Sequence, residues 1–157
     1  MARVLVAYYS RSGNTREMAD HVAEGVREAG GQVDVRPVTD VSVDDLLEYE
    51  GIIIGSPTYY GVMSAEVKKL FDKSFEHHGG LSGKVGGAFA TAANIGGGNE
   101  TTLLSILEAM LIHGMIVEGA AEGDHYGPVS IGGPDESVAK QCRALGARVS
   151  RLADRLF

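Results

Sequence analysis

Cysteine occurs once in this chain of 157 residues, tryptophan not at all, and proline only four times. The lone Cys142 cannot close an internal disulfide, so a reducing compartment and a cytoplasmic location are expected. Basic residues are in the minority: 14 Lys and Arg against 21 Asp and Glu leave a net charge of −7, which speaks against nucleic acid and anionic membrane surfaces as partners. No apolar run approaches the length of a membrane span. The first residues read as a strand and lack the apolar core of a signal peptide. His77 and His78 stand adjacent without further ligands nearby in sequence, so no metal site is expected. Length and hydrophobic content fit one domain over 1–157.

What the chain does have begins at its start. An apolar run, Arg3 to Tyr9, leads into Ser10, Arg11, Ser12, Gly13, Asn14 and Thr15, and then into a helical pattern. A strand that feeds a hydroxyl-rich turn opening a helix is suited to holding a phosphate. Three hydroxyls can donate, Gly13 lets the backbone turn sharply, and the first N–H groups of the helix are unpaired and partly positive. The turn lacks the Gly-Lys-Ser/Thr of a Walker A loop, the Gly-x-Gly-x-x-Gly of a dinucleotide fold and the cysteine of a phosphatase loop. The competing reading is a capped helix start with no ligand. Asn14 with Glu17 three residues on resembles a capping box.

The strand-then-helix unit repeats five times. Strands are expected at 3–9, 32–38, 51–55, 84–93 and 115–120. Helices are expected to follow Asn14, Ser42, Ser64, Asn99 and Asp135, with 121–133 irregular. Phe75 is expected on the inward face of the helix after Ser64, and Cys142 on that of the last helix. Right-handed crossovers then give an α/β fold, a parallel sheet with helices on both faces. Ligands of such folds lie at the carboxyl ends of the strands, where the loops after strands one, three and four converge. The second of these, Ser56 to Met63, carries Pro57, Thr58, Tyr59, Tyr60 and Gly61, aromatic groups for a flat ligand on a stiffened loop. The third, Thr91, Ala92, Ala93, Asn94, Ile95 and Gly96 with Gly97 and Gly98, can lay backbone N–H groups along a ring edge. Taken singly, the tyrosines also read as loop packing and the glycines as a loose turn. Together the loops describe a slot for a mononucleotide with a planar head, FMN. A response regulator would need an aspartate where Gly55 and Ser56 stand.

The Ser10-x-Ser-Gly-x-Thr15 turn resembles the phosphate loop of flavodoxins. The resemblance extends to the NAD(P)H:quinone oxidoreductases of the tryptophan-repressor-binding-protein type. It rests on Gly55 to Ala65, Leu81 to Gly86, Gly97 to Leu104 and His113-Gly-Met115. It implies a flavodoxin-like three-layer sandwich around a five-stranded parallel sheet in order 2-1-3-4-5. It implies that residues 10–15 bind the FMN phosphate, that Thr58, Tyr59 and Tyr60 line the ring, and that Thr91 to Gly96 meet ribityl and ring edge. His113 would stand beside flavin or substrate as the catalytic residue, and a homo-oligomer, dimer or tetramer, would form. The chain departs from that family between Val38 and Tyr49, where an insertion is missing, and at Glu76 to Gly80, which is short and lacks a tryptophan.

Two functions follow. In one the protein is an FMN-dependent oxidoreductase passing electrons from NAD(P)H to quinones. In the other it is a flavodoxin-type carrier shuttling single electrons between partners. The absence of an aromatic from Thr91 to Gly98 leaves one flavin face open to substrates and favours the enzyme. A flexible peptide at Gly61, able to stabilise a one-electron-reduced flavin, and the acidic charge favour the carrier. His113 also reads as a plain helix-end residue.

Overall fold

Along β1 (Arg3–Tyr8) the side chains divide by parity. Val4, Val6 and Tyr8 join one apolar cluster, Leu5 and Ala7 the other. The computed structural model describes residues 1–157 and repeats this division across the sheet. In β3 (Gly51–Pro57), Ile53 faces the first cluster while Ile52 and Ile54 face the second. Period-two exchange of apolar residues on both faces is what a sheet covered on two sides requires.

The first cluster is closed by α1 (Asn14–Glu28) and α4 (Glu136–Leu156), the second by α2 (Ala65–Lys73) and α3 (Asn99–Ile112). β2 (Gln32–Pro37), β1, β3 and β4 (Val85–Ala92) lie side by side and parallel, so the order 2-1-3-4-5 holds. Val4 pairs with Val33 and Gly51, and Gly51 with Val85, which puts every strand's carboxyl end on one edge. Helices α1 and α4 pack backbone to backbone: a Cβ at Gly25 would strike Arg143, and one at Gly146 would strike Val22.

The fifth position corrects the sequence reading. It is shared by two short strands, β5 (Ile116–Val117) against the start of β4 and β6 (Val129–Ile131) against its end. The sheet thus has six strands, and the chain loops out between residues 118 and 128 before returning to the same edge. The segment expected to be irregular therefore contains a strand. The expected helix after Ser42 is a single 3-10 turn, Asp45–Glu48, closed by reciprocal bonds between Ser42 and Asp45. Phe75 is not inward; it is 72% exposed in the turn that follows α2. Ser64 and Asp135 cap their helices as their positions suggested, accepting from Val67 N and Val138 N.

Candidate functional site

At the carboxyl edge of the sheet, the loops after β1, β3 and β4 meet around a cavity of about 280 Å³. Arg11, Ser12, Asn14 and Thr15 line it from the first loop, Pro57, Thr58 and Tyr59 from the second, and Thr91, Ala92 and Ala93 from the third. Gly132, after β6, completes it. That residue was missed because three strand residues between Gly127-Pro128 and Gly132-Gly133 give too short an alternation to detect. A larger depression of about 520 Å³ lies between the turn after β2 and α2. It is an open groove, with two lysines and two glutamates among its lining and no convergence of strand-end loops.

The first loop differs from a capping box. Gly13, at φ +100°, is the N-cap residue of α1, and Asn14 is its first helical residue, with no side-chain cap. Glu17 instead donates its backbone N–H to the Gly13 carbonyl. That leaves the N–H groups of the first turn unpaired by any side chain, at the positive end of a 15-residue helix. The left-handed conformation suits glycine, and a Cβ there would meet nothing within 4 Å, so the space before the helix is open. Ser10 stays just outside the cavity and accepts from Gly13 N at 3.1 Å, holding the turn. Thr15 is buried and shares a 2.9 Å hydrogen bond with Thr91 Oγ1, tying the first loop to the third.

The second loop is pegged along its length. Thr58 N donates to Thr91 O at 2.7 Å, and Thr102 Oγ1 donates to Thr58 Oγ1 at 3.0 Å. Thr101 Oγ1 donates to Gly61 O at 2.5 Å, and Met63 N donates to Ser105 Oγ at 3.1 Å. Tyr59 stands edge-on to Tyr9 at 6.4 Å. The Glu66 carboxylate beside Tyr9 raises that phenol above its ordinary value. Tyr60 and Gly61 do not line the cavity. Tyr60 is fully exposed on the rim and adopts φ +51°, a left-handed conformation uncommon for an aromatic residue. Asn94, Ile95 and Gly96 also lie outside, with Ile95 86% exposed over a separate depression of about 390 Å³ shared with Gly98 to Thr101.

His113 is not in this cavity. It ends α3, whose 14 residues run about 20 Å from the loop edge to the opposite edge of the sheet. There Gly83 N donates to Gly114 O beside the start of β4. Ser74 Oγ donates to Phe71 O at 2.6 Å and so accepts from His113 Nε2 at 2.7 Å. His113 Nδ1 is buried without a partner. Burial, and then the neighbouring His78, hold this imidazole below its ordinary value. The helix-end reading of His113 fits the fold of the chain; the flavin-side reading does not. Cys142 is fully buried, its thiol pushed up to about 12 by burial. His77 pairs with Asp44 at 2.6 Å.

The donor set in the cavity is hydroxyls, helix-end N–H groups and one guanidinium, with Tyr59 as the one aromatic residue of the lining. The model of the flavodoxin domain matches residues 5–93, just over half of the chain. The chain belongs to the flavodoxin family. It is 36% identical to an NAD(P)H dehydrogenase (quinone) of Archaeoglobus fulgidus, over 99% of this chain and 100% of the relative. It is 38% identical to a flavodoxin of Aquifex aeolicus, over 96% of this chain and 86% of the relative. Among solved structures, the WrbA-like flavodoxin of Agrobacterium tumefaciens matches with a TM-score of 0.82 and 27% identity, each chain fully covered. A flavin, FMN, is the cofactor that this membership implies. The cavity's residues fit it: Ser12, Thr15 and the α1 N-terminus suit a phosphate, Tyr59 an aromatic ring, and the small Thr91, Ala92 and Ala93 leave the backbone accessible.

Proposed function

We propose that this flavodoxin-family protein is an FMN-dependent oxidoreductase that carries electrons from NAD(P)H to quinones in the cytoplasm. The observation that supports it most is the third loop. Thr91 to Gly98 brings no aromatic side chain to the cavity, where Tyr59 is the one aromatic residue of the lining, so this loop would leave a face of a bound ring uncovered. A carrier exposes only a ring edge to its partner; an enzyme needs an open face on which a nicotinamide and then a quinone can lie. The hydrogen bond from Thr101 to the Gly61 carbonyl also counts against the carrier, because it restrains the peptide that a carrier would need mobile.

When bound, FMN supplies the two-electron chemistry. The protein's part is binding, orientation and access. Ser12, Thr15 and the first N–H groups of α1 would hold the phosphate, and Arg11 would balance its charge. Thr58 fixes the second loop against the third through Thr91 and Thr102, so that Tyr59 keeps its place. In the balanced reaction NAD(P)H gives up a hydride, solvent supplies a second proton, and the quinone leaves as hydroquinone. His113 takes no part within one chain. Relatives named as NAD(P)H dehydrogenases (quinone) support the reading.

A homo-oligomer, dimer or tetramer, belongs to the same proposal. Leu111 at 59%, Ile112 at 73% and Phe75 at 72% exposure form apolar surface around the end of α3. No helix is long and apolar enough to cross a membrane.

Rapid mixing of the FMN-loaded protein tests the reading. Bleaching by NADH or NADPH, then recovery of the colour with benzoquinone and ping-pong steady-state kinetics, are expected. A protein that needs a separate reductase and exchanges electrons singly is the carrier.

A further inference from the structure

The edge of the sheet remote from the flavin cavity holds a smaller cavity of about 190 Å³, between α2 with the turn that follows it and the end of α3. Phe71, Phe75, Ala109 and Ile112 give it apolar walls. Two imidazoles stand in it, His78 and His113, with ring centroids 5.9 Å apart. Along the chain His78 has only His77 beside it, and the Nε2 of His77 is taken by Asp44 at 2.6 Å. The fold supplies His113 instead.

His113 is 7% exposed, and its two nitrogens are unlike. Nε2–H donates to Ser74 Oγ at 2.7 Å, and that hydroxyl is oriented by its own bond to Phe71 O at 2.6 Å. The proton is thereby fixed on Nε2 and the lone pair on Nδ1. Nδ1 is buried and has no partner. A buried polar atom in this state calls for an explanation, and an ion is one. The arrangement is also the one that orients a metal-bound histidine: its second nitrogen donates to a neighbouring oxygen and so aims the first. His78 is exposed and leads into Gly79 and Gly80, so its ring can turn to meet an ion that Nδ1 holds. Two imidazoles that share one ion through bonds of about 2 Å have their centroids roughly 5–6 Å apart. The observed 5.9 Å falls at the wide end, where the two bonds are nearly in line.

The ligand set narrows the choice of ion. The one carboxylate of the wall, Asp72, is paired with Lys68 at 2.6 Å. No group of three His, Cys, Asp or Glu side chains in the chain is placed to hold a metal ion. The protein ligands are therefore two, and both are neutral. A structural Zn²⁺ takes four ligands. A divalent ion would also keep its whole charge beside apolar walls, where the desolvation cost rises with the square of the charge. Cu⁺, a d¹⁰ ion of single charge, is satisfied by two nitrogens in line, and imidazole suits copper. We propose that His78 and Nδ1 of His113 form a two-coordinate site for Cu⁺. The site is complete within one chain and independent of the flavin chemistry.

Competition for Cu⁺ tests this. The FMN-loaded full chain is titrated, without oxygen and with ascorbate, into the Cu⁺ complex of bicinchoninate, whose colour lies clear of that of the flavin. One Cu⁺ per chain is expected to leave the dye. His78→Ala and His113→Gln are each expected to lower the affinity tenfold or more, and His77→Ala to leave it unchanged. His113→Gln also loses the bond to Ser74, so His78→Ala, at an exposed position, is the deciding variant. Its melting temperature and FMN affinity are expected to match those of the wild type. Equal Cu⁺ affinity in the wild type and His78→Ala, or no transfer from the dye, overturns the site. X-ray absorption at the copper edge gives a second readout. Two nitrogen ligands are expected; sulfur, from Cys142 or a methionine, overturns the assignment. Zn²⁺ titrated in place of Cu⁺ is expected to bind more weakly, and equal or tighter binding overturns the choice of a monovalent ion.

Discussion

Ser12 and Thr15 look alike in sequence, but the fold gives them different tasks. Thr15 is buried and holds the third loop through Thr91, whereas Ser12 is exposed in the flavin cavity. Ser12 is therefore the cleaner probe of the phosphate. Ser12→Ala is expected to weaken FMN binding by about 1.5–3 kcal/mol, the range for a hydrogen bond to a charged group, with riboflavin affinity and thermal stability unchanged. Titrations of the apoprotein, followed by flavin fluorescence, check this. His113 shows the limit of reading a residue from a motif. Its place at a helix end is legible, but which sheet edge that end reaches depends on the direction of α3. Its lowered pKa has a consequence for stability. The folded chain holds the imidazole below the ordinary 6.5, so on acidification through that value the unfolded chain takes up the proton first. Stability is thus retained above this range and falls as pH drops through it. In urea denaturation between pH 8 and pH 5, the wild type is expected to lose more stability than His113→Gln. Equal slopes would contradict this account of His113.

At the scale of elements, apolar alternation and spacing made β1, β3, β4 and all four α-helices legible. The three-loop crevice followed from topology, because parallel strands bring their carboxyl ends to one edge. Several things were not legible. The cap at Gly13 hides behind Asn14, since a good capping side chain suggests a cap even where a left-handed glycine forms it. The split of the fifth strand leaves two fragments too short for alternation to register. Tyr60 and Ile95 sit in the expected loops, but which loop residues turn inward is set by bonds such as Thr101 to Gly61, between residues 40 apart in sequence. The close packing of α1 on α4 is another long-range feature. Gly146→Ala puts a methyl group against the Val22 backbone, which cannot step aside as a flexible side chain would. Overpacking of this kind costs about 1–3 kcal/mol. A lower urea midpoint, with FMN affinity retained in the folded protein, is the expected outcome. An unchanged midpoint would mean that the two helices separate easily.

Taken whole, the molecule has two unlike ends. The loop edge carries the flavin cavity. The opposite edge carries His113 and the apolar surface of Phe75, Leu111 and Ile112. If that surface is where copies meet, Ile112→Asp should lower the mass seen by light scattering and leave FMN affinity unchanged; an unaltered mass would place the contact elsewhere. The charge of −7 sets a general background against anions, so an anionic cofactor needs a local device. We propose the α1 N-terminus and its hydroxyls as that device, and recognition of the FMN phosphate there is the central claim. The most direct test is calorimetric titration of the wild-type apoprotein with FMN and with riboflavin, which has the same ring and ribityl chain without the phosphate. With two or more charge-assisted bonds at about 1.5 kcal/mol or more each, FMN should bind roughly a hundredfold tighter or better. Equal affinities for the two flavins would contradict the account.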